Sequence, residues 1–330
     1  MGNWRFANRS RVPNWREWRW RCPVSCCCAC SVDGEKGHLG SSVRRGNRLK
    51  WRHHPEKRSG TIVDSVSKKR AEMPEQAGSV LERRTLRSSN RRLSELLEPG
   101  MRVLDVGCGT GAITRGIAEA VGPTGRVVGA DVDARLIRQA RDRHGDLPWL
   151  SFETEDVYDL PFENEFDVVV AARVLQWLAD PLTALGRMIR AAKPGGKVLV
   201  LDYNHEKIVW KPEPPDSMLH FYRRFLQWRA DAGMNNAVAD RLEAWFRACG
   251  LSDIRVTDQS EHWSRRDPGF EAGARIWADV AAGRGRQMVE DGYVTEEERR
   301  SAEEEYLAWV GREAQEMTMV LLAVEGTRAG

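Results

Sequence analysis

The sequence predicts an α/β fold built on a doubly wound parallel sheet, and three observations predict it. Short Val-rich runs alternate with amphipathic stretches over more than 100 residues, the rhythm of strand–helix–strand units. FDVVVAA at 166–172 is apolar on successive residues, as a strand covered on both faces must be. VLDVGCGTG at 103–111 ends a strand in three closely spaced glycines, the chain's way of holding bare backbone against a ligand.

Composition and charge bound the problem. A chain of 330 residues holds one large domain or two smaller ones, and 41% apolar content is ordinary for a folded protein. No apolar stretch approaches the roughly 18 residues of a membrane span. The net charge of +3 conceals an asymmetry, because residues 1–72 carry +11 and the remainder −8. Five of the seven cysteines fall between Cys22 and Cys30, leaving Cys108 and Cys249. The larger segment therefore has no disulfide framework and suits a reducing cytoplasm.

Residues 1–72 read as a basic, Cys/Trp-rich extension. NWREWRWRCPVSCCCAC has neither helical nor strand periodicity. Zinc at Cys22, Cys26, Cys28 and Cys30 would lack paired C-x₂-C knuckles. A basic, aromatic arm could bind nucleic acid. A secretory signal would need a continuous apolar core, which is missing. The expectation is disorder, or translated sequence upstream of a misassigned start, with the domain proper beginning at Met73.

From there each element follows in order. A helix is expected over 75–97, closed by Pro99-Gly100. Arg102–Val106 is a buried strand and Ala112–Val121 a helix. RVVGADVD supplies a second strand, and Asp133 caps a helix through His144. A short strand lies around Trp149–Glu155, then FDVVVAA. Asp180-Pro181 pairs an N-cap with a proline at the first helical position, opening a helix to Ala192. GGKVLVLDY is the fifth strand, LSDIRVTDQ the sixth and EMTMVLLAVEG the seventh.

Gly107, Gly109 and Gly111 permit a tight turn at the positive end of the following helix. Asp131, 20 residues past Gly111, ends the second strand where a carboxylate accepts bonds from ribose hydroxyls. These residues alone fit a dinucleotide or S-adenosylmethionine equally, since G-x-G-x-x-A also meets the loose dinucleotide fingerprint.

The surrounding set resembles the class I S-adenosylmethionine-dependent methyltransferases. Asp105 stands two residues before the first glycine, as in that family's first motif. An acid there favours the cofactor's ammonium and does nothing for a pyrophosphate. EDVYDLPFENEFDVVV is similar to the family segment whose acid, here Asp156, reaches the adenine amino group, with Val157 at the ring edge. AAKPGGKVLVLD resembles its turn before the fifth strand. The resemblance covers about residues 79–203. It implies a Rossmann-like, seven-stranded sheet and a cofactor site of Asp105, Gly107, Cys108, Gly109, Gly111, Asp131, Val132, Asp156, Val157 and Arg173. No metal is expected.

Subfamily motifs are absent. After the fourth strand stands Ala171-Ala172-Arg173-Val174, not the Asn-Pro-Pro-aromatic run of base N-methylation, and no Pro-Cys pair supplies a cytosine nucleophile. VLQWLADP is closer to small-molecule methyltransferases, in which Arg173 or Trp177 would border the pocket. Two insertions, about 204–248 and 261–315, carry helical patterns at Ser217–Ala230, Ala237–Cys249 and after a Thr295–Glu298 capping box. They are expected to form a helical cap over the cofactor, or alternatively a dimerisation surface. Tyr203 and His205 fall at the mouth of the sheet, His205 as the candidate base and Tyr203 orienting the acceptor, with His262 a second candidate base.

The expected function is thus cytoplasmic methyl transfer to a small molecule by a monomer or homodimer, with no nucleic-acid or membrane partner. An RNA methyltransferase using the basic arm, or a silent S-adenosylmethionine-binding module, are the alternatives.

Overall fold

The structure, a computed structural model, describes residues 62–73 and 84–330. The cysteine cluster and the disorder expected of residues 1–61 lie outside the described residues. The end of that extension is different from expectation. Ile62–Ala71 is a helix, α1, with Lys68, Lys69 and Arg70 in its last turn, where cations suit the helix dipole. The sequence hid it because α1 has no apolar stripe and is held by polar contacts described below.

The helix expected over 75–97 is seen, within the described residues, as two short ones, α2 (Leu86–Ser89) and α3 (Arg91–Leu96). Asn90 makes the break: its side chain leaves the helical path and accepts from the Leu93 N–H, capping α3. The chain then alternates as read: β1 (Arg102–Val106), α4 (Ala112–Val121), β2 (Arg126–Asp131), α5 (Ala134–His144), β3 (Leu150–Thr154) and β4 (Phe166–Ala172). Asp133 caps α5 by accepting from Arg135 and Leu136 N–H. Next come α6 (Pro181–Ala191), β5 (Ala192–Lys211), α7 (Asp216–Ala230), α8 (Val238–Ala248), β6 (Leu251–Asp258) and β7 (Glu261–Ser264). The chain closes with α9 (Phe270–Ala274), α10 (Ile276–Ala282), α11 (Arg284–Glu290), α12 (Glu296–Arg312) and β8 (Glu316–Arg328).

The strands lie in the order β3-β2-β1-β4-β5-β8-β6, with β7 also on β8. All neighbours as far as β5 are parallel, and β8 runs antiparallel to β5 and β6. Alternate residues face opposite layers, as the two-residue repeat of a strand requires. Val103, Val127, Val168 and Leu199 face α4 and α5, whereas Leu104, Val128, Val169 and Val198 face α6 and α8.

The insertions are corrected in two ways. The first opens with strand: β5 runs on to Lys211, where Val209–Lys211 pairs with Glu316–Thr318 of β8. The second opens with β7, which continues the β6 edge along β8 from Glu261 to Ser264. The sheet therefore has a three-stranded extension beyond the parallel strands, with Trp210, Met317 and Trp263 in one row. Helices α7, α10, α11 and α12 pack together on it, and the Trp210 indole donates to the Tyr306 hydroxyl at 3.1 Å. Helix α8 is not part of that bundle. Its Leu242 and Phe246 pack on the sheet itself.

Candidate functional site

The candidate residues converge at the carboxyl ends of β1, β2, β4 and β5, where the sheet's order reverses. β1 stops because Gly107 turns to φ +72°, and its N–H and that of Cys108 both donate to the Ala130 carbonyl, at 2.7 and 3.1 Å. Gly111, at φ +81°, is the N-cap of α4 and has no side chain to cover the helix end. A Cβ on Gly111 would stand 2.7 Å from the Phe152 ring, and one on Gly107 would overlap Val174. Between them the Thr110 hydroxyl is buried without a partner among the described residues. The loop thus presents bare backbone and an unused hydroxyl.

Two acids flank it. Asp105 is buried and accepts from the Thr114 hydroxyl at 2.7 Å. Burial pushes its carboxyl up to about 7 against the help of Thr114, and the nearby Asp131 charge adds to the rise. Asp131 accepts the Gly109 N–H on Oδ2 and the Asp133 N–H on Oδ1, both at 2.9 Å. It ties the glycine loop to the start of α5, and burial raises its carboxyl too. Val132, beside it, is exposed. Cys108 lies within the loop, and burial raises its thiol, with both acids contributing.

Asp156 accepts from the Tyr158 N–H and caps the one-turn helix Val157–Asp159, with Val157 buried beneath. Its other oxygen receives Lys68 Nζ of α1 at 2.9 Å. Helix α1 is held on the other side as well. Arg70 pairs with Asp291, and Arg284 donates to the carbonyls of Arg70 and Glu72.

Across from the acids, Arg173 sits at φ +63°, a conformation that a non-glycine residue adopts at a cost of order 1–3 kcal/mol. Its guanidinium meets the Tyr203 hydroxyl at 3.0 Å, Glu261 at 2.7 Å and the Ser89 carbonyl at 3.1 Å. Tyr203 in turn donates to Glu261 at 2.8 Å. Burial raises the phenol to about 12, partly countered by Arg173. Arg173 and Tyr203 are thus brought into one buried network.

His205 is buried between Tyr203, Phe225 and Trp277. Burial, and secondarily the charge of Arg229, hold its ring well below the usual histidine range, so it is neutral. Nε2 meets Gln176 Oε1 at 2.6 Å, while Gln176 Nε2 donates to the Arg173 carbonyl. That arrangement assigns the ring proton to Nε2 and leaves Nδ1 as the acceptor. His262 does not join this site. It is exposed on β7 and bonded to Thr318.

Sequence reasoning missed Gln176, Arg229, Glu261 and Lys68. Gln176 sits in VLQWLADP, the run already read as bordering the reacting group. The others come from distant elements and carry no local signal. Among the described residues, no cluster of His, Cys, Asp or Glu is arranged to hold a metal, and no helix is long and apolar enough to cross a membrane. A recess of about 390 Å³ opens at the far end of the sheet, by Glu95, Met101 and Lys197, and contains none of the candidate residues.

Residues 97–255 match the family described as "Methyltransferase domain". The chain is 39% identical over 140 residues to the ubiquinone/menaquinone biosynthesis C-methyltransferase UbiE of Burkholderia vietnamiensis, covering 41% of this chain and 55% of that one. It is 41% identical over 103 residues to an uncharacterized 37.1 kDa protein in a transposon of Streptomyces fradiae, covering 31% of this chain and 30% of that protein. The chain spans about half the length of the curated C-methyltransferases that it matches. Among solved structures, phosphoethanolamine N-methyltransferase 2 of Haemonchus contortus aligns at a TM-score of 0.47 with 19% identity, over 73% of this chain and 53% of that one.

Proposed function

From a chain that belongs to the class I S-adenosylmethionine-dependent methyltransferases, we propose transfer of the cofactor's methyl group to a small-molecule acceptor beneath the helical bundle. The observation that carries the reading is the cradle of Asp105, Gly107–Gly111 and Asp131, bare backbone between a buried and a half-buried acid. S-adenosylmethionine, the cofactor, is cationic at its ammonium and sulfonium, and supplies an already activated methyl. A side chain at Gly107 or Gly111 would collide with Val174 or Phe152 and displace the loop, the Thr110 hydroxyl within it is buried without a partner among the described residues, and both acids gain from a cation, so the residues present fit the group.

In this reading Asp131 holds the ribose hydroxyls while it fixes the loop through the Gly109 N–H. Asp105 faces the ammonium. Cys108 and Gly109 line the loop, with Val132 and Val157 beside the adenine and Asp156 toward its amino group. Arg173 shapes the floor from which Tyr203 orients the acceptor, assisted by Glu261. His205 Nδ1 takes a proton when the acceptor must lose one, its Nε2 being held by Gln176. The helices α7, α10 and α12 act as the cap, excluding water. Two cysteines free of disulfides, Cys108 and Cys249, suit a cytoplasmic setting.

The test begins with calorimetry. S-adenosylhomocysteine should bind at one site per chain and NAD should not. The protein is then incubated with methyl-labelled cofactor and fractionated cell extract. Label in the low-molecular-weight fraction is the expected result. Label in RNA would establish the basic-arm alternative, and binding without any transfer would establish a silent module.

A further inference from the structure

The arginines withdrawn from solvent are not equally provided for. Arg92 is bonded to Glu325, Arg173 to Glu261 and Arg299 to both Glu296 and Glu303. Two others, Arg229 and Arg284, have no carboxylate among their hydrogen-bond partners. Arg229 is fully buried, yet Nε donates to the amide oxygen of Asn236 and Nη2 to the Gln176 carbonyl, both neutral, at 2.8 Å. Its Nη1 has no partner among the described residues. Arg284, also buried, donates to the carbonyls of Arg70, Ala71 and Glu72 and to Gln287.

The two guanidinium groups meet at one side chain. Both lie over Trp177, Arg229 at 4.6 Å from the ring centroid and Arg284 at 4.3 Å. Stacking on a ring uses the flat face of a guanidinium and leaves its N–H edge for acceptors; both Nη groups of Arg284 are engaged, whereas Nη1 of Arg229 is open. The acid whose charge acts on Arg229 is Asp202, whose oxygens already accept from the Gln176 and Tyr203 N–H groups at 3.1 Å. Burial without a bonded counter-ion is costly, and an anion at the open Nη1 of Arg229 would relieve that charge directly and the charge of Arg284, on which Arg229's acts, through space. Consistently, burial lowers Arg229 to about 10 and Arg284 to about 9.

Position adds the rest. Trp177 follows Gln176, the partner of His205, at the carboxyl end of β4. Phe225 lies under Arg229 and against Trp277, so the surroundings are aromatic. We infer that Arg229 and Arg284, joined through Trp177, form the subsite for a carboxylate borne by an aromatic or apolar methyl acceptor. The inference rests on the methyl-transfer reading and deepens it. The cofactor carries a carboxylate of its own, so the experiment must separate the two sources.

The protein is saturated with S-adenosylhomocysteine and titrated with benzoate and, separately, with benzamide, a neutral probe of the same shape. Affinity is read by calorimetry and melting temperature. Benzoate should bind about tenfold or more tightly than benzamide, because only it supplies the missing charge. Arg229→Met should abolish that preference and Arg284→Met should reduce it, with affinity for S-adenosylhomocysteine unchanged in both. Equal binding of the two probes to the parent, or a preference that survives both substitutions, overturns the inference. So does a loss of S-adenosylhomocysteine affinity in Arg229→Met without any benzoate preference in the parent, which assigns the subsite to the cofactor. If Arg229→Met does not fold, the parent comparison and Arg284→Met decide. Failure of the parent to bind S-adenosylhomocysteine would instead remove the methyl-transfer reading itself.

Discussion

Asp131→Ala should weaken S-adenosylhomocysteine binding and also loosen the empty protein, and the two losses can be separated. In the folded chain Asp131 accepts two backbone N–H bonds, from Gly109 and Asp133, each 2.9 Å long. Hydrogen bonds to charged groups contribute about 1.5–3 kcal/mol each. Burial opposes the carboxylate, as its raised pKa records, so removal returns part of that sum. The expected net loss of stability is about 1–3 kcal/mol by urea denaturation. Binding loses, in addition, the ribose hydroxyl contacts, about 1–3 kcal/mol or roughly 5- to 150-fold. Asp131→Asn separates these contributions. Its amide can still accept one N–H but sets an NH₂ against the other, so affinity should fall between parent and Ala. Affinity within twofold of the parent in Asp131→Ala would refute the cofactor assignment. A large affinity loss with unchanged stability would refute the loop-fixing role.

Other outcomes follow from the same geometry. Gly111→Ala must hold φ +81° and stand 2.7 Å from Phe152, so strain and overpacking should cost about 2–5 kcal/mol in a urea titration. Asp105 holds its proton to about pH 7 when folded but loses it near 3.8 when unfolded. The folded state binds more protons in that window, so stability should decline as pH rises from about 4 to 7. Asp105→Asn should flatten that slope but not abolish it, because burial takes Asp202 to about 7 as well. The His205 ring should remain neutral at pH 6 by NMR, and its protonation there would contradict its burial. Removing residues 1–73 strips Asp156, Asp291 and Arg284 of partners. It should lower the melting temperature by several degrees, at about 2–4 °C per kcal/mol for a domain this size.

Much of the sheet was legible because its signals are local. Val-rich strands, the Asp133 and Asp180 caps and the Thr295–Glu298 box each lie within a few residues, and each stands where the sequence put it. The glycine loop and its acid were legible for the same reason, since Asp105 and the glycines are neighbours in the chain. The buried polar network at the ends of β4 and β5 was not. Arg173, Tyr203 and Glu261 meet only because β4, β5 and β7 converge, Arg229 reaches the Gln176 carbonyl only because α7 packs there, and no spacing in the sequence encodes those meetings. The length of β5 was also hidden. Past Tyr203 come Asn204, His205, Glu206 and Lys207, a polar run that ends the apolar pattern although the backbone ladder resumes at Val209.

On the proposed reading, that resumed ladder decides how substrate range could change. A pocket roof made of inserted loops can be exchanged like a cassette, by cutting where the chain leaves the sheet and where it returns. Here the first boundary would sever β5 between Tyr203 and Lys211, and the second would separate β7 from the edge it extends. A foreign roof would have to bring its own strands in register with Glu316–Met319. Specificity is therefore more readily altered one side chain at a time, on a frame whose roof and floor share the same backbone bonds.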